Sequence, residues 1–563
     1  MFIRVTKQRR ADGSSVAYMQ LAESVWNSEQ QRSDNRIIHN IGRADDPEVI
    51  ARLRRLAKSI MRRCSPEEMV AAAPEVRVRD AWSYGDVYAL ERLWEDLGIG
   101  SVVGRLLRDR HFEYSVERAL FAMVANRACA PCSKLYCWEQ WLREDVRIEG
   151  AADLGLHQLY RAMDWLEANR DSLEKEIFFR VSDLLNLDVD LIFYDTTSLH
   201  FEVEEEDRGV GEQDTVHGSK QSGGKVYRAP RKRGYSKNGR GDAPQIVVGL
   251  AVTRDGLPVR HWVFPGNTVD VTTVAKVKEE LRGWRLGRCL FVGDAGMVSA
   301  DNLRTLSLGG GRYILCMPMR RGDEVTQEVL SRPGRYRDVT ENLRVKEVVV
   351  GEGERRRRYV VCHNPEEEAR QRLHREQVLK EIEAELTSLR ECGTDILSKR
   401  VAELRASQRH GRYLHLNSSG HLEINRAKVR DEERYDGKFV VHSNDDSLSA
   451  DDMALGYKQL MRVEEAWRTL KSGLRLRPVY HWTVHRIHAH VAVTVLALLL
   501  ERAAERACKD TWRNIRDDLR RIKLVHLSTA DGEVWQVTEP DAAARARLDA
   551  LKVAPPPAVL RVG

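Results

Sequence analysis

The chain has 563 residues, with 91 Lys and Arg against 85 Asp and Glu, a formal net charge of +6. Apolar residues make up 42% and charged residues 31%, a globular composition that excludes a disordered, collagen-like or wholly coiled-coil chain. At roughly 150 residues per domain the length suggests three or four domains. The opening MFIRVTKQRR lacks the apolar core of a signal peptide. The longest apolar run, 491–500, is broken only by Thr494 and is too short to cross a bilayer. The expectation is therefore a cytoplasmic protein with no membrane partner. Nine cysteines, an odd number, argue for reduced thiols. Cys129, Cys132 and Cys137 cluster with one CxxC spacing but without a second knuckle. Packed helical cysteines and a zinc site both stay open there.

In chain order, residues 1–42 read as short strands separated by polar turns. A helix follows, with Val49, Leu53 and Ile60 on its apolar side. Residues 84–180 carry helical periodicity. At Asp190 the pattern changes. DLIFYDTTSLHF is apolar on both faces and rich in β-formers, as a central strand is. Next come the acidic VEEED (203–207) and a basic stretch, 220–240, with eight Lys and Arg, no acid, several glycines and two tyrosines. The basic stretch suits a polyanion, or is a solvated surface loop. APQIVVGLAVT and LPVRHWVFPG, joined by a turn at Asp255–Gly256, predict a hairpin. A helix over VDVTTVAKVKEELRGW, a strand over RCLFVGD, a helix capped by Ser299 and a strand over RYILCMP complete a mixed sheet with packed helices. Residues 319–435 break that rhythm with a strand pair and a long charged helix carrying Leu379, Ile382, Leu386 and Leu389. They read as an insertion. GKFVVHSN resumes strand character. A single helix is predicted from 455 to 472, stopped by Gly473. A mostly apolar helix over 484–507 should be buried, and the tail with Pro555–Pro557 should be loose.

Three acids stand out by position. Asp195 lies inside the first core strand, where an uncompensated charge is costly. Asp294 ends a strand, where open α/β sheets place their sites. Glu464 lies on the 455–472 helix, and at 100° per residue Tyr457, Glu464, Arg468 and Lys471 share one face of it. Carboxylates from two strands and a facing helix are hard oxygen ligands, suited to Mg²⁺ or Mn²⁺. Ser198 and His200 share the strand face opposite Asp195, so no hydrolase triad forms there. His481, His485, His488 and His490 cluster without a completing carboxylate or thiol in sequence, and the glycines at 309–311 lack a following Lys-Ser/Thr.

The segments FYDTTS, RGYSKNGRGDAPQIVVGLAV, FPGNTVDVTT, FVGDAGM and YKQLMRVEEAWRTLKSGLRLRPVYHW together resemble a bacterial insertion-sequence DDE transposase of the type-four group, marked by a Tyr-Arg-Glu-Lys signature. Tyr457, Glu464 and Lys471 match the signature spacing. Leu460 stands where the group usually has Arg. The resemblance implies a ribonuclease-H-like α/β core, interrupted by an insertion and preceded by a small β piece and a helical domain. The organisation expected is an N-terminal β-rich domain (1–80), a helical candidate DNA-binding domain (81–187), core first part (188–320), insertion (321–436), core second part (437–530) and tail (531–563). It implies an Asp195, Asp294 and Glu464 triad that is both catalytic and metal-binding, with two Mg²⁺ or Mn²⁺ ions. DNA contacts are expected from Tyr457, Arg468, Lys471, Lys237 and Arg233. The activity implied is cleavage at terminal inverted repeats and transfer of the 3′-hydroxyl into target DNA. It would proceed within a homodimeric synaptic complex, in a prokaryotic cytoplasm and on the nucleoid. A non-integrating nuclease and an inactive DNA-binding relative are the alternatives.

Overall fold

The computed structural model describes residues 1–562 except 11–14, 29–30, 66, 69–75, 109, 186–189, 208–229, 238, 288, 321–323, 390–393, 408 and 530–531. Most of the basic stretch, including Lys220, Lys225 and Arg228, lies outside the described residues, as do the expected domain boundaries near 187, 320 and 530. The chain divides into two compact units. The first comprises Met1–Ala81, Val525–Gln536 and Val559–Gly563. In it β1 (Phe2–Arg9), β2 (Ser15–Asn27) and β3 (Arg32–Arg43) form an antiparallel sheet. The helix Pro47–Met61 follows, capped by the Asp46 carboxylate, which accepts from the Glu48 amide at 2.9 Å. The last strand of this part is β4 (Arg77–Ser83).

The second unit opens with helices Gly85–Asp96, Ile99–Leu106, Val116–Cys129 and Leu156–Leu184. The helix Val116–Cys129 is buried along its whole length, so it sits inside a bundle. Cys129 and Cys137 are buried there and Cys132 is half-buried.

A nine-stranded sheet follows. Its strands are β5 (Leu191–His200), β6 (Gln245–Val252), β7 (Pro258–Pro265), β8 (Leu290–Gly293), β9 (Arg312–Met317), β10 (Arg337–Thr340), β11 (Leu343–Val350), β12 (Arg357–His363) and, beyond the two-stranded ribbon β13 (Leu414–Leu416) and β14 (Leu422–Ile424), β15 (Lys438–Ser443). The order is β10-β11-β12-β15-β9-β8-β5-β6-β7. β5, β8 and β9 are parallel neighbours, whereas β6 and β7 form the antiparallel hairpin the sequence predicts. The helix Asp270–Gly283 covers one face through Val274, Val277 and Leu281, packed with Ile192, Tyr194, Trp262 and Phe291. Strands from the stretch read as an insertion, β10 to β12, continue the core sheet through β15 instead of starting a sheet of their own. Within that stretch the helix Pro365–Leu389 buries Val378 and Ile382 against Tyr413 and Val429.

The sequence predicts one helix over 455–472, but the structure breaks it. Ala450–Lys458 ends at Gln459, Met461–Arg468 starts anew, and Thr469–Gly473 is a π-turn. The Leu460 amide bonds to Tyr457 O and the Val463 amide to Leu460 O, i to i−3 contacts that tighten the junction. The helix Val484–Cys508 is long and apolar enough to cross a membrane, yet 89% of its most apolar window is buried inside the protein. It is the core helix expected. β16 (Lys523–Thr529), β17 (Gly532–Val537) and β18 (Val559–Val562) form a sheet in the order β18-β17-β16-β4. The tail is therefore not loose. Val553 is buried, Tyr88 Oη donates to Ala554 O at 3.1 Å, and β18 pairs with β17. Paired backbone groups and buried apolar side chains hold it in place despite its prolines.

Candidate active site

β5 and β8 run parallel with Leu191 level with Leu290 and Phe193 level with Val292. Continued two residues on, that register brings Asp195 and Asp294 level on chains about 4.8 Å apart. Asp195 sits inside β5 with its side chain 21% exposed. Asp294 is the first residue past β8 and opens the turn Ala295–Met297. Burial raises the proton affinity of Asp195; Lys237 opposes this, and the charges of Asp294 and Asp270 add to it. Mutual repulsion of this kind is the electrostatic mark of grouped carboxylates.

Strand alternation decides which way each side chain turns. Tyr194 Oη donates to Thr273 Oγ1 at 3.0 Å and Thr196 Oγ1 donates to Asp270 Oδ1 at 2.5 Å. Both turn to the helix Asp270–Gly283, so Asp195 between them turns to the opposite face. The helix Met461–Arg468, whose buried residues take no part in the cluster around Ile192 and Tyr194, packs against β5 and β6. Glu464 is carried by that helix but is exposed. Among the described residues no three His, Cys, Asp or Glu side chains are grouped closely enough to hold a metal ion. Asp195 and Asp294 thus stand within electrostatic reach of each other, and Glu464 stands exposed on the helix packed against β5.

Asp195 and Asp294 offer hard carboxylate oxygens in one place, and a cation is already drawn to them. Lys237 Nζ lies 3.6 Å from Asp195 Oδ1 and 2.9 Å from Asp270 Oδ2. These residues fit an Mg²⁺- or Mn²⁺-class ion at the two aspartates.

The predicted DNA contacts fare differently. Lys237, expected to contact DNA from the basic stretch, is built into the acid group. Its amide donates to Ser198 Oγ at 3.0 Å and its Nζ donates to Thr196 O and Oγ1 at 2.8 and 2.9 Å. Tyr457 donates from Oη to Asp294 Oδ1 at 3.1 Å, and its ring lies 5.4 Å from that of Phe439. Lys471 is half-buried; burial and the neighbouring Arg477 lower its proton affinity while Asp195 raises it, so it stands within the electrostatic reach of the site. Arg468 is exposed on the helix surface. Arg233 is not brought to the group: its Nε donates to Asp242 O at 3.0 Å, another of its N–H groups donates to Glu204 O, and its amide donates to Glu206 Oε1 at 2.7 Å. Nearby, Arg231 and Asp207 form a buried pair at 2.5 Å that ties the end of the acidic run to the basic stretch. The helix expected to carry Tyr457, Glu464, Arg468 and Lys471 on one face is interrupted at Gln459–Leu460 and again by the π-turn, so the 100° step does not run unbroken through them.

Sequence reasoning missed Asp270. It stands in FPGNTVDVTT at the first helical position, where an acid reads as a favourable partner of the helix dipole and nothing more. Its pairing with Thr196, one residue past Asp195, is visible only in three dimensions.

A family model described as "Transposase DDE domain" matches residues 213–500. A second, described as "IS1634 family transposase, N-terminal domain", matches residues 3–73. No curated protein matches the chain. Among solved structures, a cryo-EM structure of a piggyBac transposase synaptic complex with hairpin DNA is similar at 9% identity over 78% of this chain and 79% of that one, with a TM-score of 0.33.

Proposed function

The chain belongs to the DDE transposase family of insertion sequences, and from that premise we propose that Asp195, Asp294 and Glu464 are the acids with which it cuts and joins DNA. As a member of that family it is an enzyme of DNA cleavage and strand transfer and depends on divalent metal. The observation that carries the assignment is the register of the neighbouring parallel strands β5 and β8, which, continued past the end of β8, sets Asp195 and Asp294 level, with the Glu464 helix packed on the same β5. The strand order β7-β6-β5-β8-β9, antiparallel hairpin first and parallel strands after, supports reading the core as ribonuclease-H-like.

In this reading Asp195 and Asp294 hold one ion and Glu464 completes the set when its side chain turns inward. When bound, two Mg²⁺ or Mn²⁺ ions lower the proton affinity of an attacking oxygen and stabilise the charge on the leaving one. The protein's own part is to fix the aspartates on rigid strands, to hold Asp294 through the Tyr457 hydroxyl, and to place Lys237 and Lys471 where a phosphodiester arrives. Water and then a DNA 3′-hydroxyl attack phosphorus in turn at the inverted-repeat ends. Exposed Arg468 meets the DNA backbone. The helical region 81–187 carries further DNA contacts, and two copies synapse the two ends. In this reading the chain is one of the type-four group, with Tyr457, Glu464 and Lys471 at the signature spacing and Leu460 as its departure.

The test is a nicking assay on a cognate end with Mg²⁺. Asp294→Ala is expected to abolish nicking while retaining end binding. A variant that still nicks removes Asp294 from the site. Supplying a pre-cut 3′-hydroxyl end with target DNA is expected to yield joined product, which a non-integrating nuclease does not make.

A further inference from the structure

We propose that Asp270, outside the Asp195, Asp294 and Glu464 set, is a positioning residue that holds the Lys237 ammonium off Asp195 and so keeps the Asp195 carboxylate open to a divalent cation. The inference rests on the reading of Asp195 as a metal-binding acid.

An ammonium group has three protons to donate. Those of Lys237 have three acceptors within 2.9 Å: Thr196 O, Thr196 Oγ1 and Asp270 Oδ2. The Thr196 hydroxyl passes its own proton to Asp270 Oδ1 at 2.5 Å, so it receives Lys237 on a lone pair. Asp195 Oδ1, at 3.6 Å, lies beyond hydrogen-bond length. The cation is thus close enough to offset the repulsion among the aspartates, yet it uses none of the Asp195 lone pairs. Its freedom is limited from the other end as well, because the Lys237 amide is bound to Ser198 Oγ on β5. Asp270 is itself confined. It stands at the start of a helix, beside Gly296, two residues past Asp294, where a Cβ would make ordinary contact with Asp270 Oδ2 at 3.5 Å.

Without the Asp270 carboxylate, the third ammonium proton loses its acceptor. The nearest charged oxygen is then Asp195 Oδ1, and a movement of about 0.8 Å brings it to the length of a charge-assisted hydrogen bond. The ammonium would then occupy a lone pair that a metal ion needs and repel the ion by its charge. Asp270 therefore acts on the metal through Lys237, without touching it.

Binding of Mn²⁺ to the purified full-length chain, without DNA, by calorimetry or by the electron paramagnetic resonance of free Mn²⁺, tests this. Asp270→Ala, which removes both acceptor oxygens, is expected to weaken Mn²⁺ binding about tenfold, the usual effect of losing a group that orients a metal ligand. Adding Lys237→Met to it is expected to return the affinity to within about threefold of wild type, because the competing cation is gone. Thr196→Val, which removes the hydroxyl shared by Lys237 and Asp270, gives a second route should Asp270→Ala fail to fold. It is expected to weaken binding in the same direction, again reversed by Lys237→Met. Wild-type affinity in Asp270→Ala overturns the inference. So does a double variant as weak as Asp270→Ala alone, which makes Asp270 a ligand or a support of the fold. Asp195→Asn separates the two layers: if it keeps wild-type Mn²⁺ affinity, the underlying reading of Asp195 fails, whatever Asp270 does.

Discussion

Asp195 and Glu465 show how differently two acids near the site are treated. Asp195 is held in a strand where burial and neighbouring acids favour its protonated form. A carboxyl whose proton affinity is raised by folding lends most stability at acid pH and loses it as pH climbs through the raised titration. Asp195→Asn, which carries no such charge, is therefore expected to melt above wild type at pH 7 in the absence of metal. The gap should close as pH falls toward the carboxylate range, as paired thermal melts will show. Glu465 adjoins Glu464 in sequence but pairs with Arg462 at 3.2 Å. Such a surface pair contributes about 0–1 kcal/mol. Glu465→Gln is expected to nick at the wild-type rate, whereas Glu464→Gln is expected to fall below detection. Loss in Glu465→Gln with Glu464→Gln still active would displace the signature register by one residue. Lys471→Ala is expected to lower the slope of end binding against salt by about one counterion.

The helix that carries Glu464 is where periodicity misled. Its apolar residues Leu460, Val463, Ala466, Trp467 and Leu470 are buried. A 100° step accumulates error at every irregular turn, however, and this helix has a junction and a π-turn within fifteen residues. Leu460 occupies the place of a signature arginine, but here it is 6% exposed. Leu460→Arg is thus expected to cost at least about 2 kcal/mol by burying an unpaired cation and to add nothing to end binding. Denaturant melts and a binding titration will check both halves. Buried cations exist already in this protein. Lys134, in the short helix Lys134–Tyr136, is 3% exposed, and among the described residues its Nζ has no hydrogen-bond partner. Burial, with Arg127 adding repulsion, lowers its pKa to about 7. Since the unfolded chain keeps this proton up to the ordinary lysine range, stability should rise as pH increases from about 7. Lys134→Met removes the penalty and is expected to melt higher than wild type below pH 7, with the difference shrinking at alkaline pH.

At the scale of the whole molecule, the mixed sheet was readable strand by strand because β-formers, glycines and polar turns punctuate the chain clearly between 190 and 317. The sequence also identified the acids worth watching: a charge inside an apolar strand and one at a strand's end are local anomalies. It found the buried helix Val484–Cys508 by its unbroken apolar surface. What local pattern cannot carry is register between strands, the turn of a helix after a break, or which loop cation folds back on which acid. These depend on contacts between residues tens to hundreds of positions apart. The pairing of β5 with β8, the Asp270–Lys237–Thr196 contacts, the incorporation of β10 to β12 into the core sheet and the docking of the tail were decided there. Composition and periodicity express what each segment prefers; packing selects, among the arrangements those preferences allow, the one in which buried charges and backbone groups find partners.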